Sequence, residues 1–120
     1  MATFHKLIVL AVAALAVSAT LAVAADRKQA KSQVEFGIRV AAQGLWREAI
    51  YRWERAAELD PTYPAVWNNL AVGYEQSGQF EKAKQAYEKA TALDPHNAYI
   101  KQNFDLFKEI NDRANRANSR

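Results

Sequence analysis

A spacing of 34 residues constrains this chain more than any other feature of its sequence. The hexamer AAELDP at residues 56–61 returns as ATALDP at residues 90–95, and the surrounding sequence keeps the same phase without a gap. Seven positions are identical in the two copies: Gly44 and Gly78, Ala49 and Ala83, Glu54 and Glu88, Ala56 and Ala90, Leu59 and Leu93, Asp60 and Asp94, Pro61 and Pro95. A fixed period of this length predicts a stack of repeated structural units.

Each copy predicts a pair of helices. In the second copy, Trp67, Leu70, Ala71 and Tyr74 recur at i, i+3, i+4 and i+7, which is the spacing of one helix face. Gly78 is suited to end this helix, because glycine adopts the left-handed backbone at little cost. A second helical stripe follows and ends at Asp94–Pro95: Phe80, Ala83, Tyr87, Ala90 and Leu93. The prediction is an all-α fold in which small residues let paired helices approach closely.

The second copy closely resembles the tetratricopeptide repeat (TPR). The positions that carry the resemblance are Trp67, Leu70, Ala71, Tyr74, Gly78, Ala83, Tyr87, Ala90 and Pro95. The first copy keeps the second half of that motif in Gly44, Ala49, Trp53, Ala56 and Pro61. Its first half departs from the pattern, with Gln33 in place of Trp and Val40 in place of Tyr. The resemblance implies a right-handed α-solenoid of two TPR helix-turn-helix hairpins, residues 30–63 and 64–97, plus a C-terminal capping helix.

Residues 98–117 are the predicted capping helix. Ile100, Phe104, Phe107 and Ile110 form one apolar stripe that would pack on the second hairpin. The charged residues Lys101, Asp105 and Lys108 stand where the family has Trp, a small residue and Tyr. Asn97 is a plausible N-cap, because its side chain can accept an early backbone N–H. Residues 118–120 are expected to fray.

The first 25 residues predict a signal peptide. A basic start is followed by an apolar run and by Ala22-Val23-Ala24, a small-x-small cleavage site that would leave Ala25 or Asp26 as the first mature residue. The alternative is an uncleaved membrane anchor, since residues 7–25 carry no charge and would span roughly 28 Å as a helix. Either reading predicts a small exported protein of bacterial type, periplasmic or secreted, or else anchored to the membrane.

Catalytic and cofactor chemistry find no support in the sequence. There is no cysteine, and the predicted mature chain has one histidine, His96, in a predicted turn. A metal site needs several ligands, and none of the four glycines belongs to a phosphate-binding motif. The net charge is +3, with acidic and basic residues interleaved along the helices, which is typical of a solvated surface rather than a nucleic-acid interface. We therefore expect no enzyme activity, no cofactor, no metal and no nucleic-acid partner.

The resemblance implies a concave groove lined by the first helix of each unit, at positions 2, 5, 6, 9 and 12. The predicted partner-binding residues are Lys31, Val34, Ile38, Asn68, Asn69, Val72, Glu75, Tyr99, Gln102, Asn103 and Leu106. Ile38, Val72 and Leu106 would form an apolar ladder, and the flanking amides would pair with the backbone of a peptide or amphipathic helix. The alternative is that the ladder marks helix–helix contacts and the amides are ordinary surface residues. The family's clamp for C-terminal carboxylates is not expected, because Val34 and Ile38 stand where it needs a basic residue and Asn.

Two functions follow from this pattern. The first is a non-enzymatic adaptor or scaffold that binds a protein or peptide ligand in its groove, in the cell envelope. The second is a structural subunit that self-associates or completes a larger helical assembly, since such arrays usually need about three units to be stable.

Overall fold

The computed structural model consists of five helices. It describes the backbone of all 120 residues and the side chains of all but residues 7, 8, 10 and 11. In chain order the helices are α1 (Ala2–Ala41), α2 (Trp46–Leu59), α3 (Pro64–Gln76), α4 (Phe80–Leu93) and α5 (Ala98–Asn118). The fold is all-α, as the repeat predicted, with α1 and α2 forming one hairpin, α3 and α4 the second, and α5 packed at the end.

The same turn closes both hairpins. Gly44 and Gly78 have φ of 79° and 72°, the left-handed conformation that glycine adopts without a steric penalty. The amide that follows each glycine then donates back to the carbonyl five residues earlier: Leu45 to Val40 at 3.1 Å and Gln79 to Tyr74 at 2.8 Å. This bond satisfies a carbonyl that the end of the helix would otherwise leave unpaired. The 34-residue period in the sequence is therefore a period in backbone geometry.

Trp53 is the centre of the core. Its side chain is 2 % exposed, and its indole N–H donates to the backbone carbonyl of Val34 at 3.1 Å. Two glycines lie against the same ring: a Cβ on Gly37 would stand 2.7 Å from the indole Cδ1, and one on Gly73 would stand 3.0 Å from Cζ3. Helices α1 and α3 therefore approach this indole closely from two directions.

Helix α5 caps the second hairpin through an aromatic cluster. Tyr87 of α4 lies 5.3 Å from Phe104 and 5.4 Å from Phe107 between ring centroids, within the range of favourable aromatic pairs. The side chain of Asn97 accepts from the backbone N–H groups of Tyr99 and Ile100, which confirms the predicted N-cap. Beyond Phe107 the side chains of α5 are almost all exposed, so the last turns of the helix project from the fold.

The N-terminal part of α1 lies outside the core. The described side chains before Ala30 are all exposed, and Ala30 is fully buried, so packing begins at the predicted start of the first repeat. Among the helices of the described residues, none is long and apolar enough to cross a membrane. The predicted anchor, residues 7–25, includes the four positions whose side chains lie outside the described residues. The signal peptide and the anchor therefore both stay predictions.

Candidate functional site

The asparagines of the predicted groove take part in two different contacts. Asn103 on α5 donates through Nδ2 to Oδ1 of Asn68 on α3 at 3.2 Å, and Asn68 is only 4 % exposed. Asn69 turns its amide back onto its own helix and donates to the carbonyl of Ala65 at 2.7 Å. The first pair joins neighbouring helices, and the second leaves the Asn69 side-chain carbonyl available as an acceptor.

These residues border an open cavity of about 220 Å³ between α3 and α5. Its lining residues are Tyr63, Pro64, Ala65, Asn68, Asn69, Asp94, Asn97, Tyr99 and Ile100. Three predicted groove residues, Asn68, Asn69 and Tyr99, are thus brought together, and the Tyr99 ring stands 66 % exposed at the edge. The cavity combines an exposed aromatic ring with amide groups and has room for one side chain of a ligand.

Sequence reasoning missed part of this lining. Tyr63 ends the first unit. Asp94 and Asn97 lie in the turn before α5, and the sequence predicts only helix-ending and capping roles for them. In the structure Asn97 Nδ2 donates to Asp94 Oδ2 at 3.0 Å. The place of these three residues in the repeat indicates that they lie together, since the turns of a repeat array come together at one end of its first helices.

The remaining predicted groove residues are not all open to a ligand. Val34 is 4 % exposed and belongs to the core, so its side chain offers no surface; this corrects its place in the predicted groove. Ile38 and Leu106 are 48 % and 55 % exposed, whereas Val72 is partly buried against the core. Lys31 is exposed, and Gln102 and Leu106 line a separate cavity on α5 with Lys101 and Asp105. The apolar ladder is therefore uneven, with its middle rung packed into the fold.

Glu75 has a structural partner. Its Oε2 accepts from the phenol of Tyr87 at 3.0 Å. Burial, followed by the nearby Glu75 carboxylate, raises the pKa of Tyr87 well above its usual range. In the same way Tyr74 donates to Glu54 at 2.9 Å, and burial together with this carboxylate raises the pKa of Tyr74 to about 12. Both phenols are held as neutral donors that connect helices, rather than poised for proton transfer.

Within the described part of the chain, no group of three or more histidine, cysteine, aspartate or glutamate side chains is placed to hold a metal ion.

Two family comparisons decide which family this arrangement belongs to. A tetratricopeptide repeat model matches residues 64–97, the same bounds as the predicted second unit. A TPR repeat model matches residues 39–78, which bridge the two hairpins. The chain is a tetratricopeptide repeat protein. TPR domains are typically non-catalytic.

Relatives of this TPR protein share the repeats at moderate identity. A chloroplastic tetratricopeptide repeat domain-containing protein, PYG7, of Arabidopsis thaliana is 27% identical over 84 residues, which are 70% of this chain and 28% of that protein. An uncharacterized protein of Methanocaldococcus jannaschii is 28% identical over 78 residues, 65% of this chain and 91% of that one. The chain thus spans less than a third of the plant relative and nearly all of the archaeal one.

Solved TPR domains share the fold. The Arabidopsis OM64 TPR domain superposes with a TM-score of 0.67 at 19% identity, over 73% of each chain. The second TPR of Spaghetti (RPAP3), solved with the HSP90 peptide SRMEEVD, also gives a TM-score of 0.67, at 20% identity, over 78% of this chain and 86% of that one. At these identities the likeness concerns the stacking of helical hairpins.

Proposed function

We propose that this TPR protein is an adaptor that binds a segment of a partner protein in the cavity between α3 and α5. The observation that carries the proposal is the exposed Tyr99 ring beside the side-chain carbonyl of Asn69, in a cavity open to solvent. An aromatic surface beside a free amide acceptor suits a peptide, because it packs an apolar side chain while pairing a backbone N–H. The solved TPR domain with an HSP90 peptide supports this function by analogy of fold.

The test is binding of a displayed library of short peptides to the full chain, followed by measurement of the selected peptides on single variants. Tyr99→Ala is expected to weaken binding about ten-fold, the size of a well-buried aromatic contact. Tyr51→Ala is the matched control, since Tyr51 is 52 % exposed and lies outside the cavity. Equal affinity of both variants for every selected peptide would show that this cavity is not the binding site.

We propose further that the protein works in the cell envelope after export. The support is the sequence of residues 1–25 and the exposure of the described side chains before Ala30, which contribute nothing to the core. Removal of residues 1–25 would therefore leave the repeats intact. The mass of the protein isolated from its cells tests this: a start at Ala25 or Asp26 indicates cleavage, whereas an intact Met1 on membrane-bound protein indicates the anchor.

A second function, self-association, is favoured by one specific observation. Phe36 is the seventh residue of its unit and is 38 % exposed, whereas Leu70 at the equivalent position of the second unit is 1 % exposed. Leu70 is covered by neighbouring helices, and Phe36 has no preceding hairpin to cover it. The guanidinium carbon of Arg52 lies 4.4 Å from the centre of the Phe36 ring, so a charged group covers part of this exposed ring. A mass by light scattering that rises with protein concentration would favour this second function.

A further inference from the structure

A second cleft lies between α3 and α4, on a different face of the molecule from the groove. Trp67, Tyr74, Lys82, Gln85, Ala86 and Lys89 line it, and its volume is about 210 Å³. Trp67 and Asn69 are two residues apart on α3, so their side chains leave the helix about 200° apart. The cleft and the groove cavity therefore use opposite sides of the same helix.

The floor of the cleft is aromatic and held in place. The Trp67 indole N–H donates to the carbonyl of Pro61 at 2.7 Å, and the Tyr74 phenol donates to Glu54 at 2.9 Å. Both polar groups are thus satisfied within the fold, which leaves the ring faces as the surface that a ligand would meet. Fixed rings bind an apolar side chain with little loss of conformational entropy.

Two ammonium groups stand over this floor. Nζ of Lys89 lies 4.1 Å from the centre of the Trp67 ring, and Nζ of Lys82 lies 5.5 Å from that of Tyr74. Neither lysine takes part in an ion pair of the described residues. By contrast, Lys101 and Lys108 on α5 both pair with Asp105. Among the described residues, Glu54 is the only acidic group bonded to a cleft residue, through the Tyr74 phenol. The cleft therefore carries positive charge that the fold itself does not neutralise.

The spacing of the two lysines indicates the kind of partner. They are seven residues apart on one face of α4, which is two helical turns or about 10.5 Å. A partner helix repeats this spacing when it carries carboxylates at i and i+7, and its residue at i+3 or i+4 then points between them. The cavity is smaller than the roughly 300 Å³ at which pockets for small molecules begin, so it fits one side chain rather than a whole ligand.

We infer that this cleft is a second binding site, for an acidic amphipathic helix of a partner protein. Two carboxylates of that helix pair with Lys82 and Lys89, and an apolar side chain between them packs on Trp67 and Tyr74. A nucleic acid fits less well, because acidic and basic residues are interleaved along the helices, which is typical of a solvated surface rather than a nucleic-acid interface. This site is separate from the cavity between α3 and α5.

The probe is an alanine-based synthetic helix with glutamates at i and i+7 and leucine at i+3, labelled for fluorescence anisotropy with the full chain in mild detergent. We expect saturable binding that weakens about five-fold with Lys89→Gln, the size of one exposed ion pair. Lys84→Gln is the matched control, because Lys84 lies on the same helix, is exposed and is not part of the cleft. It should leave affinity unchanged.

Two further probes examine the geometry and the class of partner. A peptide with its glutamates at i and i+5 places them about 140° apart and should bind more weakly. The site is refuted if both glutamate spacings bind equally, if Lys84→Gln weakens binding as much as Lys89→Gln, or if a single-stranded oligonucleotide binds more tightly than the peptide. Loss of binding with Tyr99→Ala instead would place the peptide in the groove, and it would refute this site as well.

Discussion

At the scale of single residues, identical residues in the two repeats form different hydrogen bonds. Asp60 accepts from the backbone N–H of Thr62 at 3.0 Å and from its hydroxyl at 2.7 Å, and it also pairs with Arg27. Asp94, its counterpart 34 residues later, accepts from Asn97 instead. The aspartate ends a hairpin in both places, but the side chains that it bonds to differ between the two repeats.

Gly37 is the residue whose identity the core constrains most sharply. The change Gly37→Ala would put a methyl group against the Trp53 indole, so the ring or the helix must shift, although the indole is buried and hydrogen-bonded to Val34. We expect the free energy of unfolding to fall by about 1–3 kcal/mol, the usual cost of overpacking, despite alanine's better helix propensity. Urea denaturation measures this change.

The matched control for Gly37→Ala is Ser32→Ala on the same helix. Ser32 is exposed, so its replacement should alter the free energy of unfolding by no more than about 0.5 kcal/mol. If the two variants unfold at the same urea concentration, Trp53 has room that the structure does not show, and the close approach of α1 would be wrong.

At the scale of elements, the two faces of α5 differ in character. Its inner face supplies Phe107, 2 % exposed, to the cluster around Tyr87. On its outer side Asp105 bonds to Lys101 at 2.6 Å and to Lys108 at 3.1 Å, and these lysines hold the pKa of Asp105 below its usual range. In a continuing repeat these three positions would pack against a further helix. A charged ladder there is unsuited to burial, which favours the prediction that α5 is a capping helix.

The aromatic cluster is expected to provide most of the energy that docks α5. Phe107→Ala removes a buried ring between α4 and α5 and should lower the free energy of unfolding by about 3–5 kcal/mol. Ile110→Ala, three residues later on the same helix, removes a side chain that is 52 % exposed and should cost less than about 1 kcal/mol. Thermal unfolding followed by circular dichroism compares the two variants, and similar losses would mean that α5 is not docked through Phe107.

At the scale of the whole molecule, Arg27 joins the segment before the first repeat to the repeats. Arg27 pairs with Asp60 through its guanidinium, which also lies 4.8 Å above the Tyr63 ring. The Arg27 side chain is 46 % exposed and that of Asp60 is 9 % exposed. Because the described side chains of residues 2–26 are all exposed, Arg27 marks the point at which the long first helix joins the folded domain.

We expect Arg27→Gln to lower the free energy of unfolding by about 1–3 kcal/mol at neutral pH, because it leaves a largely buried carboxylate without its cation. Burial tends to raise the pKa of Asp60, but the bonds from Arg27 and Thr62 outweigh it and bring that pKa below its ordinary value. The stabilisation is therefore present above the unfolded pKa of about 3.9 and is lost as the pH falls through the folded value.

Urea denaturation of Arg27→Gln at neutral pH and at about pH 3 measures both effects, with Lys28→Gln as the control. Lys28 is exposed and adjacent, and its replacement should cost almost nothing at either pH. An Arg27→Gln loss that persists undiminished in acid would contradict the role of the Asp60 carboxylate.

The sequence by itself determined the period, the helices of the repeats and the turns between them, but not the start of α1, which begins at Ala2. A 34-residue repeat with glycines at Gly44 and Gly78 leaves one arrangement of helical hairpins, because left-handed turns and helical periodicity are local properties of the chain. The N-cap at Asn97 was readable for the same reason. The bounds of the second unit, 64–97, follow from the period and agree with the family match.

Only the tertiary structure decided which residues stay open to a partner. Val34 and Asn68 are both the fifth residue of their unit, and both are buried, one in the core and one against Asn103. Periodicity shows which face of a helix a residue occupies, but it does not show which neighbouring helix covers that face. The lysines over Trp67 and Tyr74, and Arg27 on Asp60, likewise depend on contacts between separate elements, which no local pattern in the chain specifies.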